Sequence, residues 1–146
     1  MILTVSNLFP RPDEPTRGVF NAQLFRALHE REIVHNVCLV PTWRVWDWPR
    51  IARWRGPAGI PFPTRYAPCM HVPRFGRDAS WRFCLAALRR ALPPTRDLRR
   101  VLATWLYPDG VAAVRMAADL GLRAWILVQG SDVQHLRAPR RRRVIL

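Results

Sequence analysis

The residues best suited by type and spacing to do chemistry fall in three short segments. They are NLFPRPDEPTRGVF at 7–20, TWLYPDG at 104–110 and VQGSDV at 128–133. In the first, Gly18 stands where a helix should begin. A glycine there lets a phosphate approach the N–H groups at the positive end of the helix, or it simply eases the chain into the helix. In the third, Gly130 permits a tight turn and Ser131 or Asp132 can cap the helix that follows. The same residues also suit a catalytic loop, because α/β proteins place chemistry where a strand opens into such a turn. Spacing alone leaves both readings open.

Other chemistries are disfavoured. The first segment has no G-x-G-x-x-G, and it is too long and proline-rich for the tight turn of a nicotinamide-binding motif. No Ser/His/Asp or Cys/His set can be assembled. His29 falls in a helix and His35 in a strand, while His71 and His135 have no partners at a recognisable spacing, so each reads as structural. No histidine–carboxylate cluster suggests a metal, and no metal or cofactor is expected. Cys38, Cys69 and Cys84 are odd in number and widely spaced, without a C-x-x-C pair. Buried, reduced thiols are the expectation.

The elements that must position these segments follow from hydrophobic periodicity. Residues 2–6 form an apolar run that fits a buried strand, and 7–15 form a loop that Pro10, Pro12 and Pro15 keep irregular. A helix fits from about Thr16, with Phe20, Leu24, Phe25 and Leu28 on one face and Gln23, Arg26 and Glu30 opposite. A second strand fits 33–40, which completes a βαβ unit with a parallel, right-handed crossover. Residues 41–63 read as irregular. A strand is expected at 65–72, then a helix at 78–92 with Trp81, Cys84, Leu85 and Leu88 at core spacing. Another strand fits 100–105. Pro108 suits the first turn of the following helix, Asp109 complements its dipole, and Gly121 ends it. The apolar run 124–128 predicts an interior, parallel strand that delivers Gln129 and Asp132 to the same sheet edge as Gly18. Residues 140–146 resemble a helix start with an uncapped apolar end, so the chain is expected to be part of something longer.

Length and composition fit a single α/β domain of 146 residues, 49% of them hydrophobic. No stretch is long and apolar enough for a membrane span, and the N-terminus lacks a basic leader and cleavage site. The net charge of +14 invites a nucleic-acid reading. However, every basic residue is arginine and the charge is scattered outside 140–143, which reads as overall compositional bias. Nucleic acid is therefore a disfavoured partner. An anionic membrane surface or a phosphate-bearing substrate suits the same charge. Trp43, Trp46, Trp48 and Trp54 lie among Arg44, Arg50, Arg53 and Arg55. They could stack on bases, sit at a headgroup interface, or fill a core beneath a long loop.

Taken as an ordered trio spanning essentially the whole chain, the three segments resemble the N-terminal domain of the family 4 glycosyltransferases. The resemblance implies a Rossmann-like parallel sheet flanked by helices, the N-terminal half of the two-domain architecture called GT-B. It also implies retaining sugar transfer, without a metal, from a nucleotide-sugar donor to a carbohydrate or lipid-linked acceptor. On this reading residues 1–146 are the acceptor-side domain. The donor domain, with its paired glutamates, would be encoded further on, so the fragment alone should be inactive and bind donor poorly. By position, Gly18 would meet the donor phosphates, and Gln129 and Asp132 the reacting sugar in the interdomain cleft. Arg17, beside Gly18, could add charge to the donor oxygens on chemical grounds, and Trp105 and Asp109 are the expected acceptor contacts. Gln129 stands where many members have a histidine. It cannot exchange protons as imidazole does, though its amide can still hydrogen-bond a sugar. Gly18→Val is expected to depress turnover more than stability. The expected location is the cytoplasm, with the tryptophan segment docking peripherally on the inner face of the membrane.

Overall fold

The computed structural model describes residues 1–71 and 76–146. Its strands are β1 (Ile2–Ser6), β2 (Val34–Thr42), β3 (Thr64–Met70), β4 (Arg100–Ala103) and β5 (Arg123–Ile126). They form one sheet in the order β3-β2-β1-β4-β5, and every neighbouring pair is parallel. The helices are α1 (Val19–His29), the single turn α2 (Trp48–Ile51), α3 (Ser80–Ala91), α4 (Val111–Asp119) and α5 (Pro139–Ile145). The chain is thus α/β and Rossmann-like, with helices on both faces of a parallel sheet.

Alternation along the central strand explains the two layers. Leu3 and Val5 point to one face, where they pack with Val37 and Leu39 against Leu88 of α3 and Met116 of α4. The opposite face carries Val34, Cys38 and Val40, covered by Ala22 and Phe25 of α1. Parallel strands covered on both sides must be apolar on both sides, and every residue of β1 is buried. Cys38, Cys69 and Cys84 are all buried free thiols.

Helix α1 starts at Val19, not near Thr16, and turns a different face inward. Phe20 and Leu24 are exposed, while Asn21, Ala22 and Phe25 are buried. The cause is the proline-rich loop before it. Phe9 folds back to become fully buried and stacks on Phe25, with ring centroids 5.9 Å apart. Tyr66 secures the next residue by donating its hydroxyl to the Pro10 carbonyl at 2.6 Å. The loop therefore supplies core that periodicity had assigned to the helix.

Three other expectations change. β5 is an edge strand and not an interior one, because β4 is its only partner among the described residues. It ends at Ile126, and Arg123 and Trp125 stand exposed on its outer face. Apolarity suggested an interior strand, but Leu127 and Val128 leave the sheet and are exposed. Residues 41–63 are less irregular than expected, since β2 runs on to Thr42 and a short turn leads into α2. Trp54 packs on Tyr66 at 5.6 Å, and the Arg90 guanidinium lies over half-buried Trp48 at 5.4 Å. Trp43 and Trp46 remain 51% and 65% exposed. Trp81 is only half-buried, between the guanidinium groups of Arg82 and Arg115. Of the strand expected at 65–72, Val72 lies outside the described residues.

Gly18 sits in the left-handed region, with φ 58° and ψ 33°. A Cβ built there would lie 2.8 Å from the Phe9 nitrogen and closer still to the Leu8 carbonyl. The glycine is required by the chain's own loop, so the expectation that a side chain would chiefly obstruct a phosphate is corrected. Gly18→Ala should lower unfolding free energy by roughly 2 kcal/mol or more, from left-handed strain plus overpacking. Urea denaturation measures this, and an alanine variant as stable as the parent would contradict it.

Candidate functional site

β1 and β4 are neighbours whose following helices lie on opposite faces of the sheet. Ligands of open α/β sheets bind at such a reversal, beyond the carboxyl ends of the strands. The three sequence segments converge there. Residues 7–18 leave β1, residues 104–110 leave β4, and residues 127–133 leave β5. All five strands run the same way, so these loops share one edge.

Asp132 joins two of them. Its side chain is fully buried; Oδ2 accepts the Leu106 N–H at 2.8 Å and Oδ1 accepts the Gln129 N–H at 3.2 Å. The Gln129 side chain accepts the Asp132 backbone N–H in return, which makes a reciprocal cap. Gly130, with φ 53°, provides the turn between them. The glycine turn expected in VQGSDV is present, but the cap residue is Gln129, with Asp132 at the third helical position, and not Ser131 or Asp132 as expected. Asp132 touches no open space, so any influence on a ligand must pass through Gln129.

Gln129 is half-buried, and its Nε2 donates to Asn21 Oδ1 at 3.1 Å. Asn21, which the sequence reading passed over as a helix residue, is fully buried. Its Nδ2 donates to the Leu8 carbonyl at 2.7 Å and to Ser6 Oγ at 3.2 Å. A buried polar residue must find partners, and these partners tie the first and third segments together. Periodicity gave no sign of it, because an asparagine beside an apolar stripe reads as surface.

Trp105 is extended and half-buried at this edge. Asp109 is not at the surface. It lies in the helical segment Leu106–Gly110 that runs directly into α4 at Val111, in a first helical turn as expected. Pro108 lies in the same turn, behind a cis Tyr107–Pro108 bond. The Asp109 carboxylate is fully buried, with Oδ2 accepting the Asn7 N–H at 2.6 Å and Oδ1 without a hydrogen-bond partner. Burial pushes its pKa up to about 7, although the Asn7 N–H and the nearby Arg17 charge hold it down in part. Arg17 itself is engaged: Nε donates to the Asn7 carbonyl at 3.1 Å, and Nη1 pairs with Glu14 at 3.2 Å. In this arrangement its charge is already matched.

Beside these loops lies a cleft of about 390 Å³, lined by Asn7, His71, Arg77, Tyr107, His135 and Arg141 among others. His71 and His135 thus share a cavity although they are far apart in sequence. Arg141 Nη1 is 2.9 Å from His135 Nδ1. An arginine can only donate, so Nδ1 accepts and the other ring nitrogen carries the proton. Burial and then the Arg141 charge lower the His135 pKa. A larger cavity, about 530 Å³, lies between Trp48, Tyr66 and Arg90 at the β3 side of the sheet, and its walls hold no pair of acid–base groups. No cluster of histidine, cysteine and carboxylate groups among the described residues is placed to hold a metal ion.

The Asp109 environment makes stability depend on pH. Its folded pKa lies above the unfolded value, so the folded chain keeps a proton that the unfolded chain releases. The associated stability is present below about pH 4 and is lost as pH rises towards about 7. Relative to Asp109→Asn, the parent should lose a few kcal/mol across that window, at about 1.4 kcal/mol per tenfold change in ionisation constant. Urea unfolding across the window measures this, and a pH-independent difference would contradict it.

The chain matches no family model, no curated protein and no solved structure, so its function has to be argued from the geometry of this edge.

Proposed function

We propose that the chain is the acceptor-side domain of a retaining glycosyltransferase of the GT-B type. One observation carries the reading. The three segments that resemble family 4 glycosyltransferases meet at the carboxyl edge, where β1 and β4 reverse the winding, and Gln129 is hydrogen-bonded to Asn21 across that point. On this reading Gln129 presents its remaining amide N–H to the transferring sugar, in the role of a neutral hydrogen-bond donor. Asp132 holds Gln129 in place and does not itself touch substrate. Gly18 admits the tight loop that brings the start of α1 to the carboxyl edge, and donor phosphates approach that end of the helix. Trp105 offers a ring face to the acceptor, while Asp109, being buried, acts by fixing the Asn7 backbone. The nucleotide would be held chiefly by a second Rossmann-like domain.

The test uses the protein expressed from its complete gene, incubated with a panel of nucleotide sugars and candidate acceptors. The expected result is transfer with retained anomeric configuration, read by NMR, and a loss of at least about tenfold in turnover for Gln129→Ala, about 1.4 kcal/mol of barrier. Absence of transfer and of donor hydrolysis with every nucleotide sugar would overturn the assignment. The 146-residue chain alone should bind donors only weakly by calorimetry. Micromolar affinity would place the donor site here and reverse the division of labour.

A membrane-borne acceptor is favoured by a separate observation. Trp43 and Trp46 are exposed and in edge-to-face contact at 5.4 Å, with the Arg44 guanidinium over Trp43 at 5.5 Å. They follow the carboxyl end of β2, on the same edge as the cleft. No helix among the described residues is long and apolar enough to cross a membrane. Docking would therefore be peripheral, through amphipathic rings and arginines on an anionic surface. Trp43→Ala with Trp46→Ala should reduce flotation with phosphatidylglycerol vesicles severalfold. Trp48→Ala should mainly affect stability, because that ring is covered by Arg90. Undiminished flotation of the double variant would rule the surface out.

A further inference from the structure

The cleft lined by His71, Arg77, Tyr107, His135 and Arg141 is absorbed by none of the roles above. Its volume, about 390 Å³, lies within the roughly 300–1,000 Å³ of small-molecule sites. Its lining brings together two guanidinium groups and two imidazoles and includes no carboxylate. The lining comes from six separate segments: the loop after β1, the end of β2, the end of β3, the turn into α3, the turn after β4, and residues 135–141, which lead into and begin α5.

Arg141 is held through its side chain, whereas Arg77 is exposed and fixed only at its backbone. Arg141 is clamped, with Nε 3.0 Å from Asp78 Oδ1, Nη1 on His135, and the guanidinium 5.7 Å from the centre of the Tyr107 ring. A guanidinium has five N–H donors, and these contacts leave several unused on a charge that cannot be lost. The Tyr107 ring packs on His135 at 5.5 Å, so the clamp is continuous. Arg77 is held by its backbone. Its carbonyl accepts the Tyr107 hydroxyl at 2.7 Å and the Ser80 hydroxyl at 2.8 Å. Those two hydroxyls are spent on aiming Arg77, whose own guanidinium makes no ion pair among the described residues. His135 contributes the N–H that faces away from Arg141. Asp78 offsets one charge from outside the lining, which leaves Arg77 as the unmatched cation.

We propose that this cleft binds a phosphate monoester, with Arg77 and Arg141 gripping the phosphate and His135 donating to it. Guanidinium pairs suit phosphate because their planar donors match its oxygens. The cavity has room for more than the phosphate alone, so the rest of the molecule extends along Asn7 and Pro41, which also line it. Within the glycosyltransferase reading this makes the acceptor a phosphorylated one. It rests on that reading only for the word acceptor, since the phosphate site stands on the cleft itself.

The test is calorimetric titration of the chain, at low ionic strength, with inorganic phosphate, a hexose 6-phosphate and the corresponding free hexose. No nucleotide sugar is present, so failure of sugar transfer and failure of this site are separate results. The hexose phosphate should bind saturably and more tightly than inorganic phosphate, and the free hexose should not compete. Arg77→Gln should weaken binding at least tenfold, about 1.4 kcal/mol, without lowering the unfolding midpoint. Arg26→Gln, an exposed arginine of α1 far along the chain, controls for the overall positive charge and should change affinity less than twofold. Arg141→Gln should abolish binding, but it also frees Asp78, so Arg77 is the deciding variant. Phosphatidate vesicles in a parallel arm separate a lipid headgroup from a soluble phosphate. Sensitivity to Arg77→Gln in either arm supports the site, and the tighter arm identifies the source. Equal weakening by Arg77→Gln and Arg26→Gln, or no saturable binding in either arm, would overturn the proposal.

Discussion

The carboxylate of Asp132 is the constraint on which the carboxyl edge depends. β5 is a strand of only four residues with one neighbour, and a short edge strand holds its outgoing loop weakly. Asp132 compensates by accepting one backbone N–H from its own turn and one from the turn after β4. A buried carboxylate is tolerable when charge-assisted hydrogen bonds replace its water, and here they come from two different loops. With Gln129 held by the reciprocal cap, its amide reaches Asn21, and Asn21 reaches Ser6 and Leu8. One carboxylate therefore links β5, the turn after β4, α1 and the end of β1.

Asp109, in the turn after β4, has fewer donors aimed at it. It is as deeply buried, but one oxygen has no partner and the nearest cation, Arg17, is shared with Glu14. Burial outweighs the single short bond from Asn7, and the carboxyl group keeps its proton towards neutral pH. The contrast lies in the number of donors that the fold aims at each carboxylate. A protonated Asp109 costs less to bury and still organises the Asn7 backbone once the proton sits on Oδ1, away from the Asn7 N–H.

The arginine-rich composition resolves into groups with different physical states. Arg17 and Arg141 are spent largely on holding structure, through Glu14 and Asp78. Arg90 and Arg115 lie over tryptophan rings. Arg44 stands beside the exposed Trp43–Trp46 pair, and Arg77 reaches into the cleft. A total of charges says little about partners. What matters is which cations remain unmatched, and on which edge.

The sequence by itself determined the layering. The apolar runs at 2–6 and 100–103, the helical stripe of Cys84 and Leu88, and the glycine at 121 are local signals, and each places an element within a few residues. It also determined that the three segments would meet at one edge, because parallel strands joined by helices leave no other arrangement. Tertiary structure alone decided which face α1 turns inward, because Phe9 occupies space that helical periodicity cannot register. It made β5 an edge strand, since strand order depends on pairing and not on apolarity. It buried Asp109 and Asp132, two carboxylates expected to contact ligands, and it brought His71, Arg77, His135 and Arg141 into one cavity. Periodicity reports a residue's neighbours along its own element. Burial, hydrogen-bond partners and pKa depend on neighbours that are distant in the chain, and only folding supplies those.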